Sequence, residues 1–230
     1  MRSVSLLWLA CAALWLACAA AAWPQASPPL RVERIAEGVY WMQGGSGANT
    51  GVVIGRGEAA AIDAKTDAES ARAMQAEIRK LTPNPVTTLI LTHSDGDHVN
   101  GLAGFPKGLR IVAHGNTRKD MESAFSDPKM GGLLPYLPNE TVEGSQRLNI
   151  GGVRIELLHF GPAHTQGDLV VYLPEKKVVF LGDLAFIGRD PLIHRHKSGT
   201  SLGLVRTLKE ILALDAGTFI AGHAAPLKKA

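Results

Sequence analysis

Cysteine is almost missing from this chain. The 230 residues hold two, Cys11 and Cys18, both in the first apolar stretch. The rest of the chain can form neither a disulfide nor a thiolate metal site. A chain of this kind suits an oxidising compartment, where stray thiols are a hazard. Charge of one sign is also lacking. Lys plus Arg number 24 against 21 Asp plus Glu, a formal net charge of +3. With no run of five like charges, an electrostatic tail is excluded, and no basic track marks a nucleic-acid protein. No internal repeat, no low-complexity stretch after Pro29 and no dividing linker is present. What remains is globular composition, 46% hydrophobic and 20% charged, in a length suited to one domain. Such a chain buries roughly 70% of its unfolded surface and needs no disulfide to fold.

The one long apolar run is at the start. Arg2 precedes Val4–Ala22, which is broken only by Ser5 and closed by Ala20-Ala21-Ala22. A basic residue, an apolar core and a small-residue end make a secretory signal. Residues 1–22 are therefore expected to be removed, leaving a single domain over 23–230, periplasmic or secreted, with no stable membrane association. An uncleaved anchor is the alternative, since the run is nearly long enough to span. Leu16-Ala17-Cys18 offers lipoprotein processing as another, although Trp15 fits such a signal poorly.

Strand-like runs rich in Val, Ile, Leu and Thr, bounded by turn residues, occur at Gly51–Ile54, Ala59–Asp63, Thr87–Thr92, Arg110–Ala113, Val153–Phe160, Leu169–Leu173, Lys177–Leu181 and Thr218–Ala221. Helices interleave. Thr66-Asp67-Ala68-Glu69 reads as a capping box with Thr66 as the cap, and Ala71, Met74, Ile78 and Leu81 follow at helical spacing until Pro83. A second amphipathic helix is predicted near Ser201–Leu214, with Leu202, Val205, Leu208 and Leu212 on one face. A short helix is predicted near Asn116–Phe125 and a long loop over Ser126–Asn139. Hairpins mixed with helical crossovers predict sheets covered by helices, an α/β or α+β sandwich.

All eight histidines lie after the signal. The densest stretch is His93-Ser94-Asp95-Gly96-Asp97-His98, four potential metal ligands within six residues, directly after a buried-looking strand. A strand end lets side chains converge on a cleft while the backbone stays fixed, and His with carboxylate suits zinc, iron or manganese. A polar turn capping the next helix is the bland alternative, and it leaves His93 and His98 unexplained. His164, Asp183 and His223 end or follow other apolar runs, at Ala163-His164-Thr165, Leu181-Gly182-Asp183 and Ala221-Gly222-His223.

In this order the residues resemble the metallo-β-lactamase superfamily: a His-x-His-x-Asp-His block, a His before Thr and Gly-Asp, then a Gly-Asp and a Gly-His strand end. The resemblance covers about Arg34 to His223. It implies an αββα four-layer sandwich, two mixed β-sheets packed face to face with helices outside and two divalent metal ions, zinc foremost, at one edge. Carried over by position, one ion takes His93, Asp95 and His164, the other Asp97, His98 and His223, and Asp183 bridges them. The implied chemistry is metal-assisted hydrolysis by a bound hydroxide, with Asp97 orienting the hydroxide and passing its proton on.

Asp95 departs from the pattern, which has His there. Its carboxylate can also ligate a divalent ion. The extra negative charge is expected to make the site neutral rather than +1, a weaker Lewis acid tilted toward iron or manganese. Asp63 reads as supporting the site. His114 and His159 read as structural. Asn49-Thr50 falls near a loop the family uses over its cleft. His194 to Lys197 reads either as a basic lip for an anionic group or as a solvated loop. The favoured function is an exported metal-dependent hydrolase of a small ester, lactone, thioester or amide. A β-lactamase and a non-hydrolytic metal-binding protein with a degraded site are the alternatives. The partner in each enzymatic case is a small molecule.

Overall fold

A computed structural model of the chain describes residues 28–229. The expected signal over 1–22 lies outside the described residues. Among the described residues no helix is long and apolar enough to cross a membrane.

Among the described residues thirteen strands form two mixed sheets. The first runs β1(Arg31–Ala36), β2(Val39–Gln43), β3(Thr50–Ile54), β4(Ala59–Ile62), β5(Val86–Ile90), β6(Arg110–His114), β7(Glu140–Val142), in sequence order across the sheet. It is antiparallel up to β4 and parallel from β4 to β7. The second contains β8(Ser145–Ile150), β9(Val153–Leu158), β10(Val170–Leu173), β11(Val178–Gly182), β12(Thr218–Ala221) and β13(Leu227–Lys228), with only β11 and β12 parallel. The helices are α1(Ala68–Leu81), α2(Gly96–Val99), α3(Gly115–Phe125) and α4(Ser201–Ala213).

Side chains alternate across each strand, and the alternation sorts the core into three slabs. Val53, Ala60, Ile62 and Ile90 of the first sheet meet Leu157, Val171, Phe180 and Ile220 of the second. Their neighbours Val52, Ala61 and Leu89 face outward onto Met74 and Ile78 of α1 and Met121 and Phe125 of α3. On the other side, Val170, Val179 and Phe219 pack on Leu204 and Ile211 of α4. Burial on both faces explains why β4, β10, β11 and β12 are continuous apolar runs rather than alternating ones. The result is the expected αββα sandwich.

Two local expectations are corrected. The cap of α1 is Asp67, whose carboxylate accepts the Ser70 N–H at 2.7 Å. Thr66, one residue earlier, is not the cap. The buried face of α4 carries Gly203, Leu204, Thr207 and Ile211. Leu202, Val205 and Leu212, expected on that face, are exposed, and Leu208 is half-buried. This helix is apolar on two sides, so spacing alone gave the wrong stripe. The loop after α3 contains a 3-10 turn over Gly131–Tyr136, which tucks in Leu133 and Tyr136.

Candidate metal centre

The C-terminal ends of β4, β5, β11 and β12 open at one edge of the sandwich, and each delivers a polar residue there. Asp63 follows β4, His93 follows β5, Asp183 follows β11 and His223 follows β12. Two glycines permit the crowding. Gly182 takes a left-handed φ of 51°, which turns β11 into Asp183. A Cβ on Gly222 would collide with Asp183 and the His98 ring.

Two clusters result. His93, Asp95, His164 and Asp183 place one ligand-type atom each within 4.8 Å of one another, and Asp97, His98 and His223 do the same. Asp183, of the first cluster, also reaches the second. Its Oδ1 lies 3.2 Å from His98 Nε2 and its Oδ2 3.2 Å from His223 Nε2. All seven predicted ligands are thus brought together. Asp95 and Asp183 are buried, whereas Asp97 and His223 keep about a third of their side chains exposed at the mouth.

Hydrogen bonds on the far side of each ring show what the cluster is built to hold. The Thr92 hydroxyl donates to Asp63 Oδ2 at 2.8 Å, so at 3.0 Å it accepts from His93 Nδ1. His98 Nδ1 donates to Asp63 Oδ2 at 2.8 Å, and His164 Nδ1 to the Leu192 carbonyl at 2.8 Å. With the proton on Nδ1, a neutral ring turns a bare Nε2 lone pair inward. Those lone pairs face carboxylates: His93 and His164 face Asp95 at 3.6 and 3.1 Å, and His98 faces Asp183. Buried His93 Nε2, His98 Nε2 and Asp183 Oδ1 have no hydrogen-bond partner. Lone pairs aimed at anions in a buried site need a cation between them, and nitrogen with oxygen donors is the set a divalent transition metal takes. The residues fit a metal pair.

Without an ion, protons fill that role. Hydrogen bonds to Asp183 and Asp97 lift His223 to about 9. Burial pushes Asp183 up, but His223 and His98 outweigh it and hold it well below the usual carboxylate range. Burial opposes charging of His98, yet Asp63 and Asp183 raise it well above its ordinary value. A metal must displace these protons. Zinc binding at neutral pH is expected to release protons, and affinity to rise with pH toward about 9, where His223 deprotonates unaided. Titration calorimetry in two buffers of different ionisation enthalpy measures the release. Zinc is also expected to raise Tm, by about 2.7 kcal/mol of stability at a hundredfold excess over Kd, and a chelator to reverse it.

Asp95 is more embedded than its place in the sequence indicates. Lys197 Nζ lies 2.6 Å from its Oδ1, and His194 Nε2 lies 2.7 Å from its Oδ2. Burial raises Asp95, but His164, His93 and Lys197 together hold it far below the ordinary range. The Lys197 ammonium beside Asp95 offsets the extra negative charge that Asp95 brings, a contribution that counting the ligands alone leaves out. The 194–197 stretch is split: His194 and Lys197 turn inward, while Arg195 and His196 are exposed. Sequence reasoning missed this pair, whose only signal was a run of basic residues after Asp183.

Supporting residues hold the loops. The Asp168 carboxylate accepts the Thr165 N–H and hydroxyl and folds the loop that carries His164. His114 caps α3 by accepting the Asn116 N–H, and its ring stacks on His159 at 3.9 Å, so both are structural as expected. Asn49 binds the Ala221 and Ala224 carbonyls beside His223.

Lys65 is fully buried, and burial lowers its amine to about 8. Its Nζ donates to the Gly44 and Ala48 carbonyls at 2.8 and 2.7 Å. The Ala48 N–H in turn holds the Asp97 carbonyl at 3.2 Å. Lys65→Met is expected to destabilise by about 1–3 kcal/mol through the orphaned carbonyls, and to speed amide exchange over 44–48. Unchanged exchange there would show that Lys65 does not hold the loop.

Comparison with known proteins agrees with this geometry. Residues 43–223 match the metallo-β-lactamase superfamily profile. The 2,4-dinitroanisole O-demethylase subunit alpha of Nocardioides sp. (strain JS1661) is 30% identical over 196 residues, 84% of this chain and 55% of that one. The hydroxyacylglutathione hydrolase of Bartonella tribocorum (strain CIP 105476 / IBS 506) is 27% identical, over 76% of this chain and 62% of that one. The chain thus spans between half and two thirds of these curated relatives. Among solved structures, the DIM-1 metallo-β-lactamase aligns with a TM-score of 0.71 at 21% identity, covering 88% of this chain and 92% of that one. A metallo-β-lactamase from Pontibacter korlensis gives 0.67 at 20%, over 86% and 93%. At those identities the likeness speaks for the fold. With the profile spanning most of the chain and four ordered motifs meeting at one sheet edge, this protein belongs to the metallo-β-lactamase superfamily.

Proposed function

We propose that the protein is an exported hydrolase that uses two divalent metal ions, zinc foremost, to cleave a small ester, lactone, thioester or amide. The observation that carries it is the set of buried, partnerless Nε2 and Oδ1 atoms facing one another at the mouth of the sandwich. One ion would be held by His93, Asp95 and His164, the other by Asp97, His98 and His223, with Asp183 shared. When bound, such ions polarise a carbonyl and make water acidic enough to attack at neutral pH.

The protein's own part follows from exposure. Asp95 is buried and engaged on both oxygens, and Asp183 is buried between His98 and His223, so neither is placed to move protons in and out. Asp97 is half-buried at the mouth, with Oδ2 3.1 Å from His223 Nε2. It is placed to orient an incoming water and carry its proton to the leaving group, the catalytic role assigned to it from sequence. Phe186 lies parallel to His223 at 6.0 Å, with the Arg189 guanidinium 4.3 Å from its ring centroid, and supports the reading as an apolar wall beside the mouth for a small substrate. Export is supported by the apolar run ending in Ala20-Ala21-Ala22 and by the absence of cysteine after Cys18.

The test combines metal analysis of the purified protein with a panel of esters, lactones, thioesters and the β-lactam nitrocefin. About two ions per chain and turnover that a chelator abolishes are expected. A protein that loads no metal, or loads it and turns over none of the panel, overturns the reading. Mass spectrometry of the cell-derived protein, showing a chain that still begins at Met1 in membranes, would overturn export.

A further inference from the structure

Asp95 Oδ2 is the meeting point of three imidazoles, one more than the ligand set above uses. His164 Nε2 lies 3.1 Å away, His93 Nε2 3.6 Å and His194 Nε2 2.7 Å. Donors at about 2.1 Å from a metal lie roughly 3–3.5 Å apart; His164 and His93 sit at about that spacing from Asp95, whereas His194 stands at hydrogen-bond distance and needs to draw back by a few tenths of an ångström to reach it. The His164–His194 ring centroids are 4.8 Å apart, the same as for His93 and His164. Asp95 Oδ1 is occupied by Lys197, which leaves Oδ2 as the oxygen that turns to the centre.

The loop that carries His194 is tied down beside His164. The His194 N–H donates to the His164 carbonyl at 2.9 Å, and His164 Nδ1 donates to the Leu192 carbonyl at 2.8 Å. Gln166 N–H donates to the Lys197 carbonyl, and Thr200 N–H to the Ala163 carbonyl, both at 2.9 Å. His194 is therefore positioned by backbone, not by its contact with Asp95 alone. His93 Nε2, which faces the same Asp95 oxygen, is buried and without a partner. His194 itself has no carbonyl or carboxylate fixing its Nδ1 proton among the described residues, so its Nε2 can give a proton to Asp95 or a lone pair to an ion.

We propose that His194 is a further ligand of the ion held by His93, Asp95 and His164, bringing its imidazoles to three beside Asp95 and the shared Asp183. The assignment rests on the metal-centre reading above. In this shell Lys197 is a positioning residue: it holds Asp95 by one oxygen, so that the carboxylate binds through the other.

The test compares zinc-loaded wild type with His194→Ala and His194→Gln. Glutamine can still donate a hydrogen bond to Asp95 but is a poor zinc ligand, so it separates ligation from hydrogen bonding. Both variants are expected to keep the second zinc and to bind the first about a hundredfold more weakly, at or beyond the upper range for losing a supporting hydrogen bond. X-ray absorption on the wild type supplies a measurement that needs no variant. Five imidazoles over two zincs average two and a half per ion, whereas four average two. Wild-type zinc affinity in His194→Gln, or an average of two imidazoles in the wild type, overturns the assignment while leaving the metal centre intact. A wild type that takes up no zinc overturns the metal-centre reading and this assignment with it.

Discussion

Asp183→Ala is expected to empty the centre. Bound zinc should fall from about two ions per chain to less than one, and kcat/KM should drop by roughly a thousandfold or more, since metal stabilisation of the transition state is worth several kcal/mol. The reason is position. Asp183 shares the first cluster with His93, Asp95 and His164 and touches both imidazoles of the second, so its loss costs each ion a ligand and leaves two cations facing each other unscreened. Asp183→Asn is expected to be nearly as damaging. An amide of the same shape has one acceptor oxygen, and its NH2 must face one of the two histidines. In the metal-free protein the sign can be worked out separately. The folded carboxyl is held below its ordinary value, so its contribution to stability is present above about pH 4 and fades as pH falls toward the lower folded value. The metal-free Asn variant should thus be less stable than wild type at neutral pH, with the gap closing in acid. Metal analysis and thermal melts check both claims. An Asn variant with full metal content and activity would remove the bridging role.

The seven proposed ligands could be read from sequence because each follows or flanks an apolar run that becomes a strand of the core. Burial on both faces made β4, β11 and β12 conspicuous, β5 is buried over its last three residues, and the ends of these four carry the chemistry. Five strands were missed, β1, β2, β7, β8 and β13, and all but the aromatic, largely buried β2 carry weaker signals. β1 carries Arg31, Glu33 and Arg34 on a half-buried edge, and β8 buries only Leu148 and Ile150 of six residues. Helix α4 shows the other limit. Leu202, Leu204, Val205, Leu208, Ile211 and Leu212 offer two overlapping stripes, and which one is buried depends on the sheet beneath. The grip on Asp95 was out of reach for a different reason. His194 and Lys197 lie about a hundred residues further on and follow no local pattern. Only the lacing of 192–200 onto 163–166 brings them in. Charge counting on ligands alone therefore gave a neutral centre, whereas the folded one includes an ammonium.

The other large effect is expected at Asp63, which touches no ion in the proposed centre. Its carboxylate accepts three buried donors: the Thr92 N–H at 2.8 Å, the Thr92 hydroxyl at 2.8 Å and His98 Nδ1 at 2.8 Å. Asp63→Ala orphans all three, at about 1–3 kcal/mol each, a large share of the 5–15 kcal/mol that holds a domain together. It also places alanine at a left-handed φ of 61°, which adds strain. This variant is expected to fold poorly. Asp63→Asn is the cleaner measurement, because asparagine tolerates left-handed backbone and keeps the shape. Its amide still accepts through one oxygen but turns an NH2 toward either Thr92 or His98. If His98 loses its acceptor, its proton is no longer held on Nδ1, and the lone pair aimed at Asp183 is no longer assured. Zinc affinity at the site of Asp97, His98 and His223 should then fall tenfold to a hundredfold, with a smaller loss at the other site through Thr92 and His93. Competition with a chromophoric chelator separates the two affinities. Equal weakening at both sites would point to a general loosening of the edge, and wild-type affinity at both would mean that Asp63 does not set the His98 tautomer.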